Sequence, residues 1–123
     1  VPPRWGLPKT SHLRASRDFA AILKSGKKIN DPLFSVYCVT TGKTMARLGL
    51  TVSRKVSLRA VQRNRIKRQI RESFRHHRAQ LEGCDIVVIA RPSTVTANTA
   101  ILRESLRQHW EKIQRQCVSS SAP

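Results

Sequence analysis

The sequence predicts an α+β sandwich, one sheet covered by helices, in the order α-β-β-β-α-β-α. Three observations lead there. Apolar and polar residues alternate over 33–40 and 46–53, the period of a half-buried strand. Ile86-Val87-Val88-Ile89 is an unbroken β-branched run, which suits a strand covered on both faces. Between and beyond these segments, apolar residues recur every three or four positions, as in amphipathic helices. With 123 residues, 39% of them apolar and 5% aromatic, the chain can fill one modest, mostly aliphatic core.

Residues 1–15, with Pro2, Pro3 and Pro8, read as an irregular basic arm. Residues 16–116 read as one domain, and 117–123 as a frayed tail. Ser16 is placed to cap a short helix over 17–25, with Phe19, Ile22 and Leu23 on one face and Gly26 just past its end. Lys28–Asn30 offers a short strand. In strand 33–40, Phe34, Val36 and Cys38 oppose Ser35, Tyr37 and Val39, so one of Phe34 and Tyr37 belongs to the core and the other faces outward. A turn at 41–44 leads to strand 46–53, where Leu48, Leu50 and Val52 oppose Arg47, Gly49, Thr51 and Ser53. These two strands read as a hairpin. A long basic helix over 58–78 is stopped by Gly83, and strand 85–91 follows. After a loop at 92–97, Asn98 or Thr99 caps a last helix carrying Ile101, Leu102, Leu106, Trp110 and Ile113.

Charge narrows the function. Lys and Arg number 24 against 7 Asp and Glu, a net +17. Such an excess repels itself in a compact chain and is best tolerated beside a polyanion. Ten of the cations, eight Arg and two Lys, lie between Arg54 and Arg78, with Glu72 as the only acid. At about 100° per residue, Ile66, Ile70 and Phe74 form a narrow inner stripe. Asn64, Lys67, Arg68, Arg71, Arg75 and Arg78 fill the opposite arc, with Arg65 at its edge. A helix meant only for solvent mixes signs to gain i,i+4 pairs, and this one hardly does. The preference for Arg favours phosphate, because the guanidinium fork matches it and also stacks on bases. A membrane-surface helix needs a wider apolar face than three core residues supply.

Other classes fall away. No apolar run approaches the ~18 residues of a membrane span. The start of the chain lacks the apolar stretch of a secretory signal. Cys38, Cys84 and Cys117 are far apart and odd in number, which reads as reduced thiols in a cytoplasmic protein rather than a disulfide framework or a zinc site. No catalytic residue and no metal ligand is assigned: the seven acids form no sequence cluster, His76 and His77 point about 100° apart, and His12 and His109 stand alone.

At Arg63-Asn64-Arg65-Ile66-Lys67-Arg68-Gln69-Ile70-Arg71-Glu72 the chain closely resembles the RNR signature of the bacterial ribonuclease P protein family. The likeness extends to Arg47–Val56, to Asp85–Arg91, and to Ser16-Arg17-Asp18-Phe19, Ser25-Gly26 and Phe34. It covers roughly residues 10–113. The resemblance implies a subunit that joins a catalytic RNA, which removes the 5′ leader of precursor tRNA in a Mg²⁺-dependent hydrolysis. It also implies a left-handed β-α-β crossover formed by 46–53, 58–78 and 85–91. Departures are Leu23, where many relatives carry Phe, Arg54 within the usual Ser-Lys-Lys turn, and Leu58-Arg59, where Gly-Asn is common. The resemblance implies that Arg54, Lys55, Arg63, Asn64, Arg65, Lys67, Arg68 and Arg71 contact the catalytic RNA. Phe19, Tyr37, Arg47, Thr51 and Ser53 are implied as the leader cleft, in keeping with a sheet face that can stack on and hydrogen-bond a single strand. Mg²⁺ is expected mainly on the RNA. Neither membrane nor DNA is expected as a partner. The competing readings are a structural ribosomal protein and, further off, a helix-turn-helix DNA regulator.

Overall fold

A computed structural model describes residues 16–41 and 45–118 of the chain. The arm at 1–15, the turn residues 42–44 and the tail from 119 onward lie outside the described residues. Helix α1 (Ser16–Ser25) is followed by strands β1 (Lys27–Asn30), β2 (Phe34–Thr40) and β3 (Arg47–Thr51). Helix α2 (Ala60–His77), strand β4 (Cys84–Ala90) and helix α3 (Thr99–Ile113) complete the order expected from the sequence. A π turn, Gln114–Val118, carries the helical path beyond α3.

Local chemistry sets the boundaries. Gly26 closes α1, where its N–H donates to the Ile22 carbonyl at 2.8 Å. A Cβ at Gly26 would lie 2.5 Å from that oxygen and 3.0 Å from the Cys38 carbonyl, so close approach, not a left-handed backbone, calls for glycine. Gly83, at φ 84°, does adopt the left-handed conformation as the chain turns into β4. Asp31 shapes the β1–β2 turn by accepting the backbone N–H groups of Leu33 and Phe34 at 2.8 and 2.7 Å. Asn98 caps α3 by accepting the Ile101 N–H at 2.9 Å.

The sheet order is β1-β2-β4-β3. β2 pairs antiparallel with β1 and β4, whereas β3 pairs parallel with β4. The expected β2–β3 hairpin is therefore wrong: β4 lies between the two strands. The most apolar strand takes the centre, where ladders on both edges and cover on both faces suit a β-branched run. The parallel β3–β4 pair is then bridged by α2, as parallel neighbours require.

One face of the sheet carries the main core. Phe34, Val36, Leu48, Ile86 and Val88 meet Ile66, Ile70 and Phe74 of α2 and Leu102, Leu106, Trp110 and Ile113 of α3. The Trp110 indole crosses Phe74 edge-on at 5.9 Å and donates Nε1–H to Ser73 Oγ at 2.8 Å. Cys38 is disulfide-bonded and Cys84 is a buried free thiol. This corrects the expectation of reduced thiols throughout. Counting cysteines along a sequence cannot detect a bridge, which depends on Cα separation in space. Burial raises the Cys84 pKa, and neighbouring Asp85 adds to the shift.

Candidate nucleic-acid interface

Among the described residues, the second face of the sheet is covered by α1. Phe19 and Ile22 of that helix pack with Val87 and the half-buried Tyr37, Val39 and Ile89. Strand register arranges this face in three cross-strand rows. Val39, Asp85 and Arg47 form the first; Lys28, Tyr37, Val87 and Gly49 the second; Asn30, Ser35, Ile89 and Thr51 the third. The sequence places Tyr37, Arg47 and Thr51 on one face, and the fold brings them together with Phe19 above. Ser53 lies beyond the end of β3, where its hydroxyl accepts the Lys55 backbone N–H at 3.2 Å.

Each of these side chains has a definite setting. The Phe19 ring lies over Gly49, so near that a Cβ there would sit 2.5 Å from ring Cζ. Phe34 is fully buried, which leaves Tyr37 as the outward aromatic of β2. The Lys28 ammonium stands over the Tyr37 ring, 5.5 Å from its centroid, a contact the sequence reading missed. Alternation in β1, with Lys28 and Asn30 opposite Ile29, is the signal that would have placed both residues on this face. Arg47 grips Asp85 with two hydrogen bonds, of 2.9 Å from Nε and 2.6 Å from Nη2. Asp85 is 5% exposed, so the Arg47 fork is engaged in neutralising it.

Helix α2 presents the cationic surface. Ile66, Ile70, Ser73 and Phe74 are its buried residues. Asn64 and Arg68 are exposed, and Lys67 and Arg71 are half-buried along the same outer side. Arg54 and Lys55, in the turn before the helix, are exposed as well. The two arginines of the signature sit on opposite flanks and hold backbone. Arg63 Nη1 donates to the Ser57 carbonyl at 2.9 Å, and Arg65 Nη2 to the Val95 carbonyl at 3.3 Å. Glu72 is taken by Arg75 and His76, and the Arg75 hydrogen bond leads the causes that hold its carboxyl below the usual range.

A buried polar group lies away from both surfaces. The Asp31 carboxylate receives the Ser105 hydroxyl and stands 3.0 Å from His109 Nε2, with His109 only 1% exposed. Burial pushes the Asp31 pKa up. Hydrogen bonds from Ser105 and from the Phe34 and Leu33 N–H groups, with the His109 charge, outweigh that effect and lower it. Burial lowers the His109 pKa despite Asp31. The cluster ties the β1–β2 turn to α3 across 74 residues.

Among the described residues no three of His, Cys, Asp and Glu come close enough to share a metal ion. Among the described residues, the Glu72 and Asp85 carboxylates are each engaged by arginine. No helix among the described residues is long and apolar enough to cross a membrane.

Fold and surfaces together define a small cationic α+β protein whose arginine-rich helix flanks an incompletely covered sheet face. Residues 7–114 match the family model described as ribonuclease P, and the chain belongs to the ribonuclease P protein family. It is 38% identical over 119 residues to the ribonuclease P protein component of Methylococcus capsulatus, covering 97% of this chain and 93% of the relative. The corresponding protein of Thioalkalivibrio sulfidiphilus is 34% identical, with 93% and 95% covered. Among solved structures, the Staphylococcus aureus RNase P protein superposes with a TM-score of 0.78 at 37% identity, covering 85% of this chain and 95% of that one. The Thermotoga maritima RNase P protein gives 0.75 at 36%, with 83% and 96% covered. Family membership makes this chain a protein component of an endoribonuclease of tRNA processing, in place of the ribosomal-protein and DNA-regulator readings.

Proposed function

We propose that this chain binds a catalytic RNA through the outer side of α2 and receives the single-stranded 5′ leader of precursor tRNA on the open sheet face. The observation that carries this reading is the pairing of two unlike surfaces on one small domain. One is an arginine-rich ridge that suits a phosphate backbone, and the other is a strand face with an aromatic, a cation and hydroxyls that suits unpaired nucleotides. Arg54, Lys55, Asn64, Lys67, Arg68 and Arg71 meet the RNA directly. Arg63 and Arg65 also position the loops on either side of α2. On the sheet, Tyr37 offers a ring for stacking, while Thr51 and Ser53 offer hydrogen bonds. Phe19 and Arg47 shape the cleft wall. The RNA carries the chemistry and holds most of the Mg²⁺, and the protein orients substrate and relieves phosphate repulsion. The cytoplasm, where precursor tRNA is processed, is the expected site of action.

The test is cleavage of precursor tRNA at low Mg²⁺. Catalytic RNA alone should be slow, the mixture faster, and the protein alone inactive. Tyr37→Ala should weaken affinity for leader-bearing precursor by ~1–3 kcal/mol while sparing mature tRNA. Equal losses for the two RNAs would refute the leader cleft, and cleavage at the mature 5′ end by RNA-free protein would refute the division of labour.

A further inference from the structure

Apolar surface and positive charge are set side by side at the start of α2. Leu58 and Val61 are 82% and 81% exposed, while no other large apolar residue among those described exceeds 50%. Neither contributes to the inner stripe of α2. Their presentation is nevertheless fixed. Ser57 accepts the Arg59 backbone N–H at 3.1 Å through its hydroxyl and the Arg63 guanidinium at 2.9 Å through its carbonyl. The Ser57 hydroxyl also bonds Gln62 Oε1. The turn that carries Leu58 is thus fastened to the first turn of the helix that carries Val61.

The surroundings decide what such a pair can meet. Arg54, Lys55, Arg59, Asn64 and Arg68 are all exposed nearby, and no acidic residue occurs anywhere from 32 to 71. A second copy of this chain would bring the same cations against them. Two aliphatic side chains are too few for a bilayer. The partner that fits has a flat apolar face with negative charge close around it, which describes an unpaired nucleobase between its own phosphates. We infer that Leu58 and Val61 seat an unpaired base of the catalytic RNA, with the flanking phosphates met by Arg54, Lys55, Arg59 and Arg68. The inference rests on the reading of α2 as the surface that faces that RNA.

The test compares the full-length protein with Leu58→Ser/Val61→Ser in binding to the catalytic RNA over a range of salt concentrations. The double variant should raise Kd about five- to fifty-fold. Because it removes no charge, its slope of log Kd against log salt should match the wild type, whereas Arg54→Gln/Lys55→Gln should flatten the slope. Chemical probing of the RNA should show a nucleotide protected by the wild type and reactive with the double variant. Both positions are exposed, so circular dichroism should show an unchanged fold. An unchanged Kd in the double variant, with the wild type binding normally, would overturn the base seat. So would sedimentation showing a wild-type dimer that the double variant abolishes, since a second copy would then cover the pair. A wild type that fails to bind the catalytic RNA would instead overturn the reading of α2.

Discussion

Gly49 is the point where one methyl group should disturb the cleft most. A Cβ there would lie 2.5, 2.8 and 3.1 Å from Cζ, Cε2 and Cε1 of Phe19. Carbon atoms settle at roughly 3.5–4.0 Å, so the ring must lift by about 1 Å or swing aside. Overpacking of this kind costs ~1–3 kcal/mol. The backbone of Gly49 is not left-handed, so alanine itself is tolerated and returns ~0.5–1 kcal/mol by restricting the unfolded chain. Gly49→Ala should therefore destabilise by about 1 kcal/mol net, a fall in Tm of roughly 3–6 °C for a domain of this size. The sign should change once the ring is gone. In a Phe19→Ala background the same substitution should be neutral or stabilising, with a coupling of at least ~1 kcal/mol in the double-mutant cycle. Since Phe19 and Ile22 of α1 pack on this face, hydrogen exchange over 19–25 should quicken in the single variant. Equal Tm changes in both backgrounds would refute the steric argument.

Three further outcomes are expected. Arg47→Ala strands the nearly buried Asp85 carboxylate and should cost about 2–3 kcal/mol in urea unfolding, less than a fully buried pair because Arg47 is partly exposed; Arg47→Met with Asp85→Leu should recover most of it. Ser73→Ala leaves the buried Trp110 indole N–H without its acceptor and should cost ~1–3 kcal/mol, read as a lower Tm with an altered near-ultraviolet tryptophan signal. The lowered pKa of His109 means that the unfolded chain takes up a proton first as pH falls below the ordinary value of 6.5. Stability contributed by His109 is thus complete above about 6.5 and is lost as pH falls toward its folded value, with the lowered Asp31 extending the loss below the ordinary 3.8. His109→Gln should flatten urea-derived stability as pH falls below 6.5, and an unchanged slope would contradict the effect of burial on this imidazole.

What the sequence yields and what it withholds divide along physical lines. The inner stripe of α2 and the two-sided burial of β4 are legible because helical period and β-branched runs are local properties. Alternation alone puts Phe34 and Tyr37 on opposite faces, and the packing of the fold decides that Phe34 is the one turned inward. Neighbour order in the sheet does not, since alternation tells which face a residue takes and not which strand lies beside it. That is why β2 and β3 read as a hairpin when β4 separates them. Arg63 and Arg65 read simply as cations, because the Ser57 and Val95 carbonyls that receive them are supplied by the fold. The Asp31, Ser105 and His109 group leaves no trace in the sequence at all, its members being joined across 74 residues.

The place of β4 between β2 and β3 also bears on how the chain reaches its native state. β3 pairs in the sheet with β4, and their Arg47–Asp85 bond joins residues 38 apart. The third strand of the cleft therefore cannot dock by a quick local turn; it waits for a long loop to close. That loop contains α2 and the densest run of positive charge in the chain. Closing it draws like charges together before the packing of Ile66, Ile70 and Phe74 is complete. A polyanion present at that moment lowers the electrostatic part of the barrier. Refolding of this chain should accordingly be slow in dilute buffer and faster in the presence of RNA, so that the partner acts on the rate of folding as well as on the folded product.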